Sequence, residues 1–108
     1  MASAAHARNL AAMFAAVEAA RVLVIEDSPE IVALLERALG EQGYEVYTAT
    51  DGESGVLRAL QEPPALIILD LGLPGWDGLR VASELRQRGL TAPVLMLTAR
   101  GGVADRVT

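Results

Sequence analysis

The chain of 108 residues has no cysteine and a single histidine, His6. Disulfide frameworks and thiolate metal sites are therefore excluded, and one imidazole cannot build a histidine-based centre, so zinc chemistry is set aside. Lysine is absent as well: the nine basic residues are all Arg, set against fourteen acids for a net charge of −5. That sign is wrong for a non-specific binder of nucleic acid or of a membrane surface. Aromatic residues number four (Phe14, Tyr44, Tyr47 and Trp76), so the core must be aliphatic. Apolar character is plentiful, at 52% against 21% charged, which fits a compact fold and argues against disorder. The length allows one domain.

Residues 1–20 differ in composition from the rest, being half Ala. Leu10, Met13, Phe14 and Val17 recur at i, i+3, i+4 and i+7, which puts them on one helical face, with Ser3 available as a cap. A signal peptide is the competing reading, but Glu18 interrupts the apolar patch and the patch is too short to span a bilayer. A helical extension is expected, or a true start at Met13.

From Arg21 onward, strand and helix signals alternate. Arg21-Val-Leu-Val-Ile-Glu26 is an unbroken apolar run of the kind that forms a strand buried on both faces. Ser28, Pro29 and Glu30 then supply an N-cap, a first-turn proline and a first-turn acid. The helix they open carries Ile31, Leu34, Leu35 and Ala38 on one face and stops near Gly40. Tyr44 to Thr50 alternates more and reads as a strand nearer the sheet edge, and Asp51-Gly52 opens a short helix through Leu60. After Pro63-Pro64 the run Ala65 to Asp70 is a second buried strand. Leu79, Ala82 and Leu85 mark a third helix that ends at Gly89, and Pro93 to Thr98 is a fourth strand. Val103 to Thr108 is expected to begin a fourth helix. Such alternation predicts a doubly wound parallel α/β sheet with right-handed crossovers.

In that fold the carboxyl ends of the strands share one edge, where ligands bind. Glu26, Asp27 and Asp70 would converge there, with adjacent strands ~4.8 Å apart. Three carboxylates so placed repel one another unless they share a cation, and an oxygen-only set suits Mg2+. The bland readings are that Asp70 begins a turn and that the acidic pair favours the following helix N-terminus. Both can hold alongside a metal. The loops carry neither the Gly-rich dinucleotide fingerprint nor a P-loop, which would need a Lys the chain lacks. Gly72 also stands where aspartyl-phosphate hydrolases with a D-x-D-x-T pattern would place an acid.

The pieces Val24-Ile-Glu26-Asp27, Ile68-Leu-Asp70-Leu-Gly-Leu-Pro74-Gly-Trp-Asp77-Gly78 and Val94-Leu-Met-Leu-Thr98-Ala99 follow one another in a familiar order. Through them Arg21 to Thr108 resembles the receiver domain of two-component response regulators, in detail those of winged-helix, OmpR/PhoB-like transcriptional regulators. The resemblance implies a flavodoxin-like (CheY-like) sheet, incomplete here, with four strands ordered 2-1-3-4 and helices on both faces. It implies Asp70 as phosphoacceptor from a cytoplasmic sensor histidine kinase. It further implies Mg2+ held by Asp27, by Asp70, by Glu26 through water and by the Gly72 carbonyl, with Thr98 as hydrogen-bond donor and switch. Such a receiver catalyses only its own phosphorylation and dephosphorylation, can homodimerise, and leaves DNA binding to a separate domain. Trp76 is expected as loop packing or a partner contact, and Asp77-Gly78 as the cap of the third helix.

The family's fifth parallel strand, last helix and phosphoryl-pairing Lys are not found in this sequence, which puts phosphorylation in question. The alternative reading is an unphosphorylated interaction module that pairs through an exposed edge at Val94 to Leu97. The bare sheet face beside the first helix is a surface that Leu10, Met13, Phe14 and Val17 could cover.

Overall fold

A computed structural model of the chain describes residues 20–98 and the backbone of the strand at 102–107. The expected extension over residues 1–20 lies outside the described residues apart from Ala20. The elements are β1 (Arg21–Ile25), α1 (Pro29–Glu41), β2 (Glu45–Ala49), α2 (Gly52–Gln61), β3 (Leu66–Asp70), α3 (Gly78–Gln87), β4 (Val94–Thr98) and β5 (Gly102–Val107). The sheet order is β2-β1-β3-β4-β5. The first four strands are parallel, in register Ile25↔Leu69 and Asp70↔Leu97, as the alternating pattern predicted.

The fifth strand is a departure from expectation. Where a helix was expected from Val103, β5 runs antiparallel to β4, pairing Thr98↔Gly102 and Leu97↔Val103. Two physical reasons favour it. Unpaired N–H and C=O groups along β4 template a further strand, and Val103 and Val107 are β-branched residues that suit one. Val94 to Leu97 is thereby paired on both sides and is not the exposed edge that the sequence suggested.

One sheet face carries the larger core. Leu23, Ile25, Ile67, Leu69, Val94 and Met96 are fully buried there beneath Val56 and Ala59 of α2 and Val81 and Leu85 of α3. Among the described residues, the opposite face buries Val22, Val24 and Ile68, with Leu35 and Leu39 of α1 packed against them. The expected α1 stripe is corrected in phase: Leu35 faces the sheet, while Ile31 is 37% and Leu34 67% exposed. The inward row is Leu35 with Leu39, four residues on, so α1 is apolar on two sides. Leu79 is likewise exposed, and Val81, Ala82 and Leu85 form the buried face of α3. Gly78 sets that phase, because its backbone lies so close to Leu71 that an added Cβ would sit 2.6 Å from Leu71 Cδ2.

Gly55 marks the tightest helix-to-sheet approach. A Cβ there would stand 2.5 Å from Ile25 Cδ1 and 2.9 Å from Cγ1. Ile25 is fully buried and has nowhere to retreat. Gly55→Ala is therefore expected to destabilise the chain despite Ala's better helix propensity. Overpacking costs ~1–3 kcal/mol against a propensity gain of at most ~1 kcal/mol. A urea midpoint equal to or above that of the parent would show that the contact is not limiting.

Candidate functional site

Glu26 directly follows β1, Asp70 is the last residue of β3, and both strands run in the same direction. Their side chains are therefore delivered to one edge by the sheet itself. Glu26 is 4% and Asp70 7% exposed, the only buried charged groups among the described residues. Asp27 is exposed in the loop between β1 and α1. One carboxylate oxygen from each of the three lies within 4.8 Å of the others. The convergence expected from the sequence is thus present.

Local hydrogen bonds hold the acids in place. The Ser28 N–H donates to Glu26 Oε1 at 3.0 Å, and the Gly72 N–H donates to Asp70 Oδ1 at 3.1 Å. Ser28 Oγ accepts from the Ile31 N–H and caps α1. The turn reading of Asp70 and the helix-end reading of Glu26 are therefore both correct in part, and neither competes with a metal. The contact from Ser28 to Glu26 went unread in the sequence, where the only signal was an acid two residues before a capping Ser.

Burial is the main cause that raises the Glu26 carboxyl above its ordinary 4.5; the Ser28 N–H works against it, and the Asp70 charge and hydrogen bonds to Asp70 and Asp27 add to it. A cation shared by the three carboxylates would offset this opposition to ionisation. The donor set fits Mg2+: three carboxylates, no nitrogen or sulfur ligand, and an open side at Asp27 where waters can remain.

Of the other expected site residues, Gly72 is exposed beside Asp70. Thr98 ends β4, one residue beyond the Leu97 that pairs with Asp70, which puts its backbone at the same edge. The loop after Asp70 turns back through Gly75, whose φ of +77° is a conformation other residues seldom take. Trp76 is half-buried against the larger core, with the Arg80 guanidinium 4.3 Å above its ring. Asp77 caps α3, accepting from the Arg80 N–H at 2.8 Å, as expected.

The sequence profile of the response regulator receiver domain matches residues 22–108. The chain belongs to this receiver family. The receiver is 46% identical over 91 residues to the transcriptional regulatory protein TcrA of Mycobacterium tuberculosis, covering 84% of this chain and 36% of that one. It is 46% identical over 87 residues to the alkaline phosphatase synthesis transcriptional regulatory protein PhoP of Bacillus subtilis, covering 81% of this chain and 36% of that one. The receiver thus spans about a third of the length of these relatives. In structure it is similar to the response regulator TrrA of Thermotoga maritima in complex with Mg2+–BeF, at 40% identity and TM-score 0.71, over 76% of this chain and 71% of that one. It is similar also to the chemotaxis response regulator CheY4 of Vibrio cholerae, at 32% identity and TM-score 0.72, over 77% of this chain and 71% of that one. No helix among the described residues is long and apolar enough to cross a membrane.

Proposed function

We propose that this receiver accepts a phosphoryl group on Asp70 from the phosphohistidine of a cytoplasmic sensor histidine kinase. The observation that carries the reading is the convergence of Glu26, Asp27 and Asp70 within 4.8 Å at the carboxyl edge of a receiver fold. Asp27, Asp70 and the Gly72 carbonyl would hold Mg2+, and Glu26 would reach it through water. When bound, the ion neutralises charge on the transferring group, which is much of what catalysis of phosphoryl transfer requires.

The chain's own groups supply the rest. With the Gly72 N–H on Asp70 Oδ1, the other carboxylate oxygen is the one presented for attack. That oxygen forms a bond to phosphorus as the phosphorus–nitrogen bond of the donor breaks and the imidazole leaves. Thr98 is the proposed hydrogen-bond donor to the phosphoryl group and the switch. The receiver would act as an enzyme only upon itself, and in a longer protein would pass its state to a DNA-binding domain, with homodimerisation one route.

The chain has no Lys to pair with a phosphoryl oxygen, so transfer is expected to be slow. The competing reading, an unphosphorylated module pairing through Val94 to Leu97, loses support because β5 occupies that edge. Incubation with acetyl phosphate and Mg2+, followed by intact mass measurement, is expected to give one phosphoryl adduct. The adduct should disappear with EDTA and in Asp70→Asn. An unmodified chain under conditions that label a complete receiver would overturn the proposal.

A further inference from the structure

Gly72 is exposed, yet the residues on either side of it are not free to move. Leu73 is buried in the larger core, and Leu71 is half-buried against it. The seat of Leu71 depends on Gly78. α3 starts so close by that a Cβ on Gly78 would stand 2.6 Å from Leu71 Cδ2, 3.4 Å from Leu71 Cα and 3.7 Å from the Asp70 carbonyl oxygen. Among the described glycines, positive φ is confined to Gly43, Gly75 and Gly89, so the backbone at Gly78 would accept an L side chain. What excludes one there is the contact with Leu71. The start of α3 is tied in place as well, because Asp77 caps it by accepting from the Arg80 N–H at 2.8 Å.

We infer that Gly78 is a positioning residue for the acceptor site: the notch left by its missing Cβ seats Leu71, and Leu71 with Leu73 sets the backbone of Gly72 between them. The inference rests on the reading proposed above, in which the Gly72 carbonyl is a Mg2+ ligand beside Asp70. Backbone connectivity carries the effect. The Leu71 N–H donates to the Leu97 carbonyl at 3.0 Å and so prolongs the ladder between β3 and β4 by one bond. A Leu71 side chain forced from the notch turns the backbone just beyond that bond. The next peptide carries the Gly72 N–H, which donates to Asp70 Oδ1 at 3.1 Å, and the Gly72 carbonyl follows. Of the three distances from the added Cβ, only that to Leu71 Cδ2 is shorter than van der Waals contact, so a shorter side chain at position 71 removes the conflict.

Gly78→Ala is therefore expected to weaken Mg2+ binding by about tenfold in titration calorimetry. In EDTA it should speed amide exchange at Gly72, while the amides of β1 and β2 exchange as in the parent. In a Leu71→Ala background the same substitution should change neither quantity by more than about twofold, because the two residues act through one contact. Leu71→Ala alone should shift both in the same direction as Gly78→Ala by a smaller factor, and it serves as the test where Gly78→Ala does not fold. A Gly78→Ala chain that loses stability but keeps the parent's Mg2+ affinity and Gly72 exchange would make the glycine a packing requirement only, and would overturn the inference. An undiminished effect of Gly78→Ala in the Leu71→Ala background would overturn it too. Should the parent bind no Mg2+, the reading of the site falls, and the metal-free exchange of Gly72 alone decides whether Gly78 positions it.

Discussion

Asp70→Asn is expected to make the metal-free chain more stable at neutral pH, by about 1–2 kcal/mol, while removing its stabilisation by Mg2+. The gain comes from ending the opposition of two buried carboxylates. An Asn side chain keeps an oxygen for the Gly72 N–H, which now donates to Asp70 Oδ1 at 3.1 Å. Its amide N–H can then donate to the Glu26 carboxylate where a second negative charge stood. The pH dependence follows from Glu26, whose carboxyl is raised first by burial and then by Asp70 and Asp27. A raised acid keeps its proton longer in the folded chain than in the unfolded one. Stability from this group is therefore greatest at low pH and falls as pH climbs from about 4.5 through the raised value. Asp70→Asn should flatten that fall without abolishing it, because burial remains. For the parent chain, Mg2+ at a hundred times its dissociation constant should add about 2.7 kcal/mol, and for the variant little or nothing. Urea titrations at pH 5 and 7, with Mg2+ and with EDTA, separate these effects. A variant less stable than the parent in EDTA at pH 7, with an undiminished response to Mg2+, would contradict the account.

The acids were legible before the fold was known because each stands at the end of an apolar run. Val22 to Ile25 and Leu66 to Leu69 are apolar runs of the kind that form strands buried on two faces, and parallel strands end on one side. Their boundaries and the caps at Ser28, Asp51 and Asp77 came from strictly local chemistry and agree with the structure. What could not be read was phase and partner choice. The stripe on α1 is aliphatic at Leu34 as well as along Ile31, Leu35 and Leu39, so only the lean of the helix over the sheet turns Leu35 and Leu39 inward and leaves Leu34 and the first-turn Ile31 exposed. Leu79 looked like core by spacing, yet the close contact of Gly78 with Leu71 turns it outward. β5 was hidden for a different reason. Gly101-Gly102 followed by a mixed segment suits a helix start as well as a hairpin, and only the unpaired edge of β4 decides between them.

Leu69→Ala is expected to have the largest effect on stability of any single truncation near the site. Leu69 is fully buried, hydrogen-bonded in register between Ile25 and Met96, and covered by the helices on the larger-core face. Removing a buried Leu side chain costs ~2–5 kcal/mol, the upper part of the range applying where neighbours cannot collapse into the space. Sheet hydrogen bonds fix Ile25 and Met96 on both sides, so the cavity should persist. Total stability for a domain of this kind is ~5–15 kcal/mol, and the variant is expected to lose a large share of it. Leu34→Ala is the matched control: Leu34 is 67% exposed, and its truncation should change stability by no more than about 0.5 kcal/mol. Leu69 immediately precedes the acceptor, yet its side chain points to the face opposite that of Ile68. The carboxylate edge should therefore survive the substitution, and Mg2+ should still raise the urea midpoint of Leu69→Ala by an increment similar to the parent's. A Leu69→Ala chain as stable as Leu34→Ala would mean that the core does not close over β3. A chain destabilised and also blind to Mg2+ would mean that the cavity reaches the site, making the packing beneath Asp70 part of what holds the three acids together.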